Sequence, residues 1–337
     1  MDTLTRRLTR AAIWSGDEVR VREVDIPDPG PGELLVRVRL ATVCGSDLHT
    51  VSGRRSAACP SILGHEAVGQ VVAAGPGAER EAGERIVWSV TSACGRCARC
   101  RRGFTAKCER VRKVGHESFT GDWPLSGGYA EHILLPAGVT TVSVPETMPD
   151  AVAAPAGCAT ATVMAALEAA REPAGRRVLI CGAGLLGITA AAACAEHGAR
   201  VEVTDPHQER RELAGRFGAV PDTGGPVDIA FDFSGSASAV ATALSRLDLG
   251  GTLVLAGSVT PGPAVNVDPE AVVRGWLTLT GVHNYEPRHL VRAVDFLTAT
   301  LGHRPWHDLV ADPVGLDEIG LALGPAPRNI LRTSVAP

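Results

Sequence analysis

The chain has 337 residues, 45% hydrophobic and 21% charged, with a formal net charge of −4. That length suggests about two domains, each long enough to bury its own core. The slight acidity gives no electrostatic case for nucleic acid or an anionic membrane surface, and no stretch approaches the roughly 18 apolar residues of a membrane span.

Arg6, Arg7 and Arg10 crowd the start without an apolar segment behind them, so no signal peptide is expected. From about Ala11 to Pro149 the chain reads as β-rich. Val19–Val24 and Leu34–Leu40 carry strand patterning, separated by the turn cluster Asp28-Pro-Gly-Pro-Gly32. Cys44-Gly-Ser-Asp-Leu-His49 follows the second of these, and Gly64-His65-Glu66 comes about twenty residues later; either alone is modest, because a lone cysteine usually packs as a small hydrophobe. Ala67–Val72 and Arg85–Val90 are further strands, and the series suggests a small barrel or sandwich.

Cys94, Cys97, Cys100 and Cys108 form two overlapping C-x-x-C pairs with a fourth cysteine close behind. Four thiolates so spaced fold around one tetrahedral Zn²⁺. The alternatives, scattered free thiols or disulfides, fit less well, since nine cysteines without a secretory leader point to the reducing cytoplasm. A site with four cysteine ligands is closed and staples a loop; it does no chemistry.

Near Asp150 the pattern changes to alternating strand and helix. Val178–Cys181, Arg200–Thr204, Val227–Phe233, Thr252–Ala256 and Leu277–Thr280 read as strands. Leu185–His197, His207–Phe217, Ser236–Leu247, Pro269–Gly275 and Pro287–Thr300 read as helices. This rhythm implies a parallel, doubly wound sheet, so the fold class is α/β. Gly182-Ala-Gly184-Leu185-Leu186-Gly187 sits between the first strand and its helix, the context that makes a G-x-G-x-x-G loop a dinucleotide site. Gly182 permits the tight turn, Gly184 the approach of the pyrophosphate, and Gly187 the packing of the helix on the sheet. Asp205 ends the second strand, where a carboxylate bonds the ribose hydroxyls and repels a 2′-phosphate, which favours NAD over NADP. Its other reading is a cap on the next helix. Arg210 and Arg211, one turn further, leave room for a 2′-phosphate.

With Gly127-Gly-Tyr-Ala-Glu131 and Gly157-Cys158 added, these motifs stand in the order found in the zinc-dependent alcohol dehydrogenases of the medium-chain dehydrogenase/reductase family. The chain resembles that family over essentially its whole length. The resemblance implies a GroES-like catalytic domain over 1–152 and 286–337, a Rossmann NAD-binding domain over 153–285, two zincs per chain and a homodimer or homotetramer. It implies Cys44, His65 and Cys158 as ligands of the catalytic zinc, where many polyol-oxidising relatives have Glu at the third position. Glu66 is then a nearby carboxylate able to approach the metal, and Asp47 orients the site through the His65 ring. Zinc stabilises the alcohol oxygen as hydride passes to the nicotinamide, and Ser46 hands the hydroxyl proton through the cofactor ribose to His49, which faces solvent.

Two departures bear on the substrate. Val90 stands where many relatives place a large aromatic wall, with Trp88 two residues earlier. Ser52-Gly-Arg-Arg-Ser56 lies in the loop that borders the entrance in the family, so Arg54 and Arg55, with Arg112, Lys113 and His116, either grip an anion or are solvated surface charge. The segment from Cys44 to Arg55 also resembles a bacterial subgroup associated with phosphonate metabolism, which implies an anionic hydroxyalkyl substrate such as a hydroxyphosphonate. A zinc-independent reductase of the same fold and a non-catalytic NAD- and zinc-binding module are the alternatives; the donor set Cys44, His65, Cys158 and the relay residues Ser46 and His49 weigh against both. Cys181 and Cys194 are expected to be buried packing, and Cys59 has no evident partner.

Overall fold

The computed structural model describes residues 7–337, so Arg6 lies outside the described residues. The N-terminal half contains strands β1 (Leu8–Trp14), β2 (Val19–Asp25), β3 (Leu34–Thr42), β4 (Ser61–Ile62), β5 (Glu66–Ala74), β6 (Arg85–Ser92), β7 (Arg112–Lys113), β8 (His132–Leu135) and β9 (Val139–Ser143). Short helices α1 (Gly45–Val51), α2 (Ala98–Arg101) and α3 (Asp150–Ala153) interrupt them. β3, β5 and β6 pair antiparallel as the spine of a sheet, with β8 on β3 and β9 on β6. Their apolar residues, among them Val36, Val38, Ile86, Trp88 and Ile133, fill one core.

The strand expectations held in place, with ends shifted by one or two residues. β1, β8 and β9 were not expected. β1 carries Thr9 and Arg10 between its apolar residues, and it pairs with β2 over its full length, so cross-strand bonding rather than composition fixes it.

The parallel sheet is built from β10 (Arg177–Cys181), β11 (Arg200–Thr204), β12 (Ala219–Pro221), β13 (Val227–Asp232), β14 (Leu247–Leu255) and β15 (Thr278–Gly281). Its order is β12-β11-β10-β13-β14-β15, all parallel. The order reverses at β10, so the crevice for a ligand opens at the carboxyl ends of β10 and β13. Helices α4 (Ala159–Ala170), α5 (Leu185–Glu196), α6 (Gln208–Gly215), α7 (Ala237–Ser245), α8 (Pro269–Gly275) and α9 (Pro287–Thr300) accompany these strands. α4 escaped the sequence reading: it is buried on nearly every side, so it shows no polar face and no helical period. Its Glu168 carboxylate takes Arg288 and Arg292 of α9 at 2.5 and 3.1 Å, locking the two helices.

Chain direction reverses twice between the two halves. At the first crossing Asp150 receives Arg39 and the buried Arg85, both at 2.9 Å through Nε, and Arg85 also donates to the carbonyls of Pro145 and Met148. At the second, the tail returns as β16 (Val314–Gly315) and β17 (Ser334–Ala336), with β17 pairing antiparallel to β3. No single helix is long and apolar enough to cross a membrane. Cys181 and Cys194 are buried as expected, and Cys59 is exposed.

Candidate active site

β3 ends at Thr42, and the chain turns at Cys44 into α1. Asp47 fixes that turn: its carboxylate accepts the Cys44 N–H at 3.0 Å and the Tyr129 hydroxyl at 3.1 Å. The same carboxylate lies 3.4 Å from His65 Nδ1, a charge contact longer than a formed hydrogen bond. The other ring nitrogen, Nε2, faces Ser46 Oγ at 3.3 Å. Cys158 arrives from the far side, at the N-terminus of α4. Gly157 must be glycine for this, because a Cβ there would stand 2.5 Å from the Trp88 carbonyl oxygen.

The ligand atoms of Cys44, His65, Glu66 and Cys158 consequently lie within 4.8 Å of one another. Two thiols and an imidazole, mostly buried, are a donor set suited to zinc, and three such ligands leave a fourth position open. Cys44 is the thiolate of the pair: the Cys158 thiol donates to it, and Arg332 and His65 add positive charge beside it. Cys158 is held up as the thiol by that same bond and by burial.

Glu66 is fully buried and does not stand free at the metal position. Arg332 grips it with Nε to Oε2 at 2.8 Å and Nη2 to Oε1 at 3.0 Å, and Thr42 Oγ1 donates to Oε2 at 2.8 Å. Arg332 Nη2 also reaches Cys44 Sγ at 3.8 Å. His49 is half-buried rather than open to solvent, because its ring leans back into the protein, with Nδ1 buried and unpartnered. Burial and the nearby Arg54 lower its pKa.

The second cluster joins Cys94, Cys97, Cys100 and Cys108, whose sulfurs also lie within 4.8 Å of one another. The Cys97–Cys100 and Cys97–Cys108 separations are 3.4 and 3.9 Å, close to the roughly 3.8 Å between sulfurs on a tetrahedral zinc. Backbone N–H groups of Cys94, Cys100 and Arg110 point at these sulfurs. Those of Arg96 and Cys97 draw the Cys94 thiol down to about 6. This set also fits zinc.

At the crevice, Gly182 turns the chain at φ 97° and Gly187 presses on it; a Cβ on Gly187 would stand 1.8 Å from the Gly182 oxygen. Gly184 caps α5, and Leu185 and Leu186 begin it, presenting N–H groups without helical partners. Asp205 does both things read from the sequence. Its carboxylate accepts the Ala183 N–H and the His207 N–H, each at 2.9 Å, tying the glycine loop to the start of α6. Arg210 donates to the Arg328 carbonyl at 3.3 Å.

The substrate-side residues surround the first cluster. Val90 is buried, and its N–H donates to the Tyr285 hydroxyl at 3.2 Å; that hydroxyl donates in turn to the Gly157 carbonyl. His116 packs against His65 with ring centroids 5.1 Å apart, and burial pushes its pKa down to about 4, so it is neutral at pH 7. Lys113 and Arg55 are half-buried near it, whereas Arg54 is exposed and folds back onto Ser52. Thr42, Tyr129, Tyr285 and Arg332 were not assigned roles from the sequence. Tyr129 lay inside a quoted motif, and the other three carried no local signal.

The comparisons with known proteins agree with this geometry. Residues 30–146 match the model of the alcohol dehydrogenase GroES-like domain, and residues 186–299 that of the zinc-binding dehydrogenase. The L-threonine 3-dehydrogenase of Deinococcus deserti is 31% identical over 312 residues, covering 85% of each chain. That of Pyrococcus abyssi is 34% identical over 294 residues, covering 80% of this chain and 79% of its own. Among solved structures, an alcohol dehydrogenase from Thermotoga maritima superposes with a TM-score of 0.90 at 25% identity, over 98% of this chain and all of its own. A zinc-binding dehydrogenase from Sinorhizobium meliloti bound to NADP gives 0.88 at 28%, with the same coverage. The protein is an NAD(P)-dependent oxidoreductase acting on CH–OH groups, and the chain belongs to the zinc-dependent alcohol dehydrogenases of the medium-chain family.

Proposed function

We propose that the chain oxidises, reversibly, an alcohol that carries an anionic group, with NAD as the favoured acceptor. Cys44, His65 and Cys158 hold a catalytic zinc, and Cys94, Cys97, Cys100 and Cys108 a structural one. The observation that carries this reading is the gathering of three zinc donors around an open position, with the Ser46 hydroxyl 3.3 Å from His65 Nε2. Zinc held there would act as a Lewis acid at the alcohol oxygen, and a nicotinamide dinucleotide at the glycine loop would take up the hydride. Ser46 accepts the hydroxyl proton, and His49, lowered in pKa and half-buried, passes it outward. Asp47 holds the His65 ring, and Glu66 balances Arg332 beside Cys44. Asp205 places a negative charge where a 2′-phosphate would sit, supporting NAD. The catalytic domain would comprise 1–152 and 286–337, and the nucleotide domain 153–285. Nine unpaired cysteines suit the cytoplasm.

The substrate is the finer part of the reading. Arg55 and Lys113 face the site beside neutral His116, which supports an anionic hydroxyalkyl compound such as a hydroxyphosphonate. These cations would repel the α-ammonium of an amino acid, so L-threonine is the instructive competitor. The test is kcat/KM for 2-hydroxyethylphosphonate, 1-propanol and L-threonine, each with NAD and NADP. We expect the phosphonate to exceed both others by at least about tenfold, and NAD to exceed NADP. A preference for L-threonine or 1-propanol rejects the anionic substrate, and a preference for NADP rejects the role of Asp205.

The oligomer follows from an open edge. β15 pairs only with β14, α8 buries no residue, and Val273 and Trp276 are 72% and 80% exposed. An unpaired edge beside exposed apolar side chains favours pairing with a second copy. Light scattering should find a dimer or tetramer, reduced to monomer by Val273→Arg with Trp276→Arg; a monomeric unsubstituted protein rejects this.

A further inference from the structure

The chain contains only two lysines, Lys107 and Lys113; the other 31 of its 33 basic lysine-plus-arginine residues are arginines. Both lysines lie in one place. Lys107 Nζ touches His283 Nδ1, and Lys113 lies within the field of Lys107 and Arg55. Arg55 also acts on His116 and His283. Among the described residues, neither lysine nor Arg55 forms an ion pair with a carboxylate. Glu117 is the nearest acid; it accepts the Lys113 backbone N–H at 2.8 Å and lies 3.9 Å from Arg112.

This cluster is built across the two halves of the molecule. Glu286, three residues after His283, accepts the N–H groups of Thr105 and Ala106 at 3.0 and 3.1 Å, together with the Thr105 hydroxyl. It thereby fixes the turn that ends in Lys107 against the segment carrying His283. Lys113 is set by β7, which pairs Lys113 with Thr91 of β6, and Val114 donates to the Val90 carbonyl at 2.9 Å. Arg55 is set by its N–H bond to the His49 carbonyl at 3.0 Å. Each of these anchors, Val90, His49 and the His283–Tyr285 segment, borders the candidate metal centre.

Like charges held together without acidic partners repel one another, a cost that a bound anion would offset. The repulsion is visible at His283, which burial first, and then Lys107, Lys113 and Arg55, push down to about 4. Resting on the reading of the neighbouring centre as an alcohol-oxidising site, we infer that Arg55, Lys107, Lys113 and His283 form a substrate subsite for a tetrahedral phosphoryl dianion. The three fixed charges match a dianion better than a carboxylate. A lysine is a compact point charge able to reach a phosphoryl oxygen in a space too small for a guanidinium fork, which accounts for lysine at these two positions alone. Beyond closing a loop, the four-cysteine lobe therefore carries both lysines to the pocket: Lys107 immediately precedes Cys108, and Lys113 follows it by five residues.

The test titrates methylphosphonate calorimetrically into the zinc-loaded enzyme with NADH bound, for the unsubstituted chain and for Lys107→Met, Lys113→Met and Lys107→Arg. Binding should weaken at least about tenfold in each Met variant and less in Lys107→Arg. The ratio of kcat/KM for 2-hydroxyethylphosphonate to that for 1-propanol should fall in parallel in both Met variants. Running 2-hydroxyethyl phosphate beside the phosphonate tells which phosphoryl source the subsite prefers. No binding of methylphosphonate to the unsubstituted enzyme, or an unchanged ratio in both Met variants, overturns the subsite. Oxidation of 1-propanol without methylphosphonate binding leaves the alcohol-oxidising centre standing and removes the subsite. Methylphosphonate binding without oxidation of any alcohol does the reverse.

Discussion

Replacing Cys158 with alanine should lower the bound zinc from about two to about one per chain, abolish turnover and leave NAD binding intact. Cys158 is the one donor of the first cluster supplied from the far side of the site, at the start of α4. Without it, Cys44 and His65 remain, and two neutral or singly charged donors hold zinc weakly. Glu66 is near enough in distance to substitute, but both its oxygens are already engaged by Arg332 and Thr42. Loss of a residue that merely orients a metal ligand costs about 10–100-fold, so loss of a ligand should cost at least about 10³-fold in kcat. The four-cysteine cluster lies on a separate lobe and should keep its zinc, which the metal count would detect. The glycine loop does not contact Cys158, so NAD should still quench intrinsic fluorescence or release heat in calorimetry. Full activity with two zincs in the variant would remove Cys158 from the proposed catalytic centre.

What was legible in the sequence was what short spacing encodes. Four cysteines within fifteen residues can meet only around one point, and a glycine loop between a strand and a helix has one common use. The alternation after Asp150 likewise yielded the parallel sheet, because each strand and helix there has its own period. The sites assembled over long separations were opaque. Tyr285 reaches Val90 across 195 residues, Glu286 reaches Thr105 across 181, and Arg332 reaches Glu66 across 266. None of these residues has neighbours that announce it. Arg54 and Arg55 illustrate the same limit: adjacent in sequence and alike in charge, they part company in space, one folded onto Ser52 and the other turned toward Lys113 and His116. The two lysines were visible as letters, but their meeting with His283 depends on how the four-cysteine lobe docks.

Arg332→Met should destabilise the protein by about 3–5 kcal/mol, the range for breaking a buried ion pair from one side. Glu66 is 0% exposed and Arg332 8%, so the change strands a carboxylate that water cannot reach. The guanidinium binds Glu66 through two parallel N–H bonds, a geometry an ammonium cannot copy, so Arg332→Lys should recover only part of the loss. Stability alone would not separate this from ordinary core damage, and a double-mutant cycle does. Arg332→Met with Glu66→Gln removes the stranded charge while leaving Thr42 a side-chain oxygen to bond. The double variant should therefore be clearly more stable in urea than Arg332→Met alone. Two losses that simply add would mean the pair is not coupled. The second consequence falls on the metal. Arg332 stands 3.8 Å from Cys44 Sγ and favours its thiolate, so its removal should weaken zinc binding at the first cluster by about 10–100-fold without touching the second. Chelator titration should then release one zinc early and the other at its usual concentration. The tail that β17 pins to β3 thus acts on the centre by carrying one positive charge to the two residues, Cys44 and Glu66, that lie at facing ends of neighbouring strands.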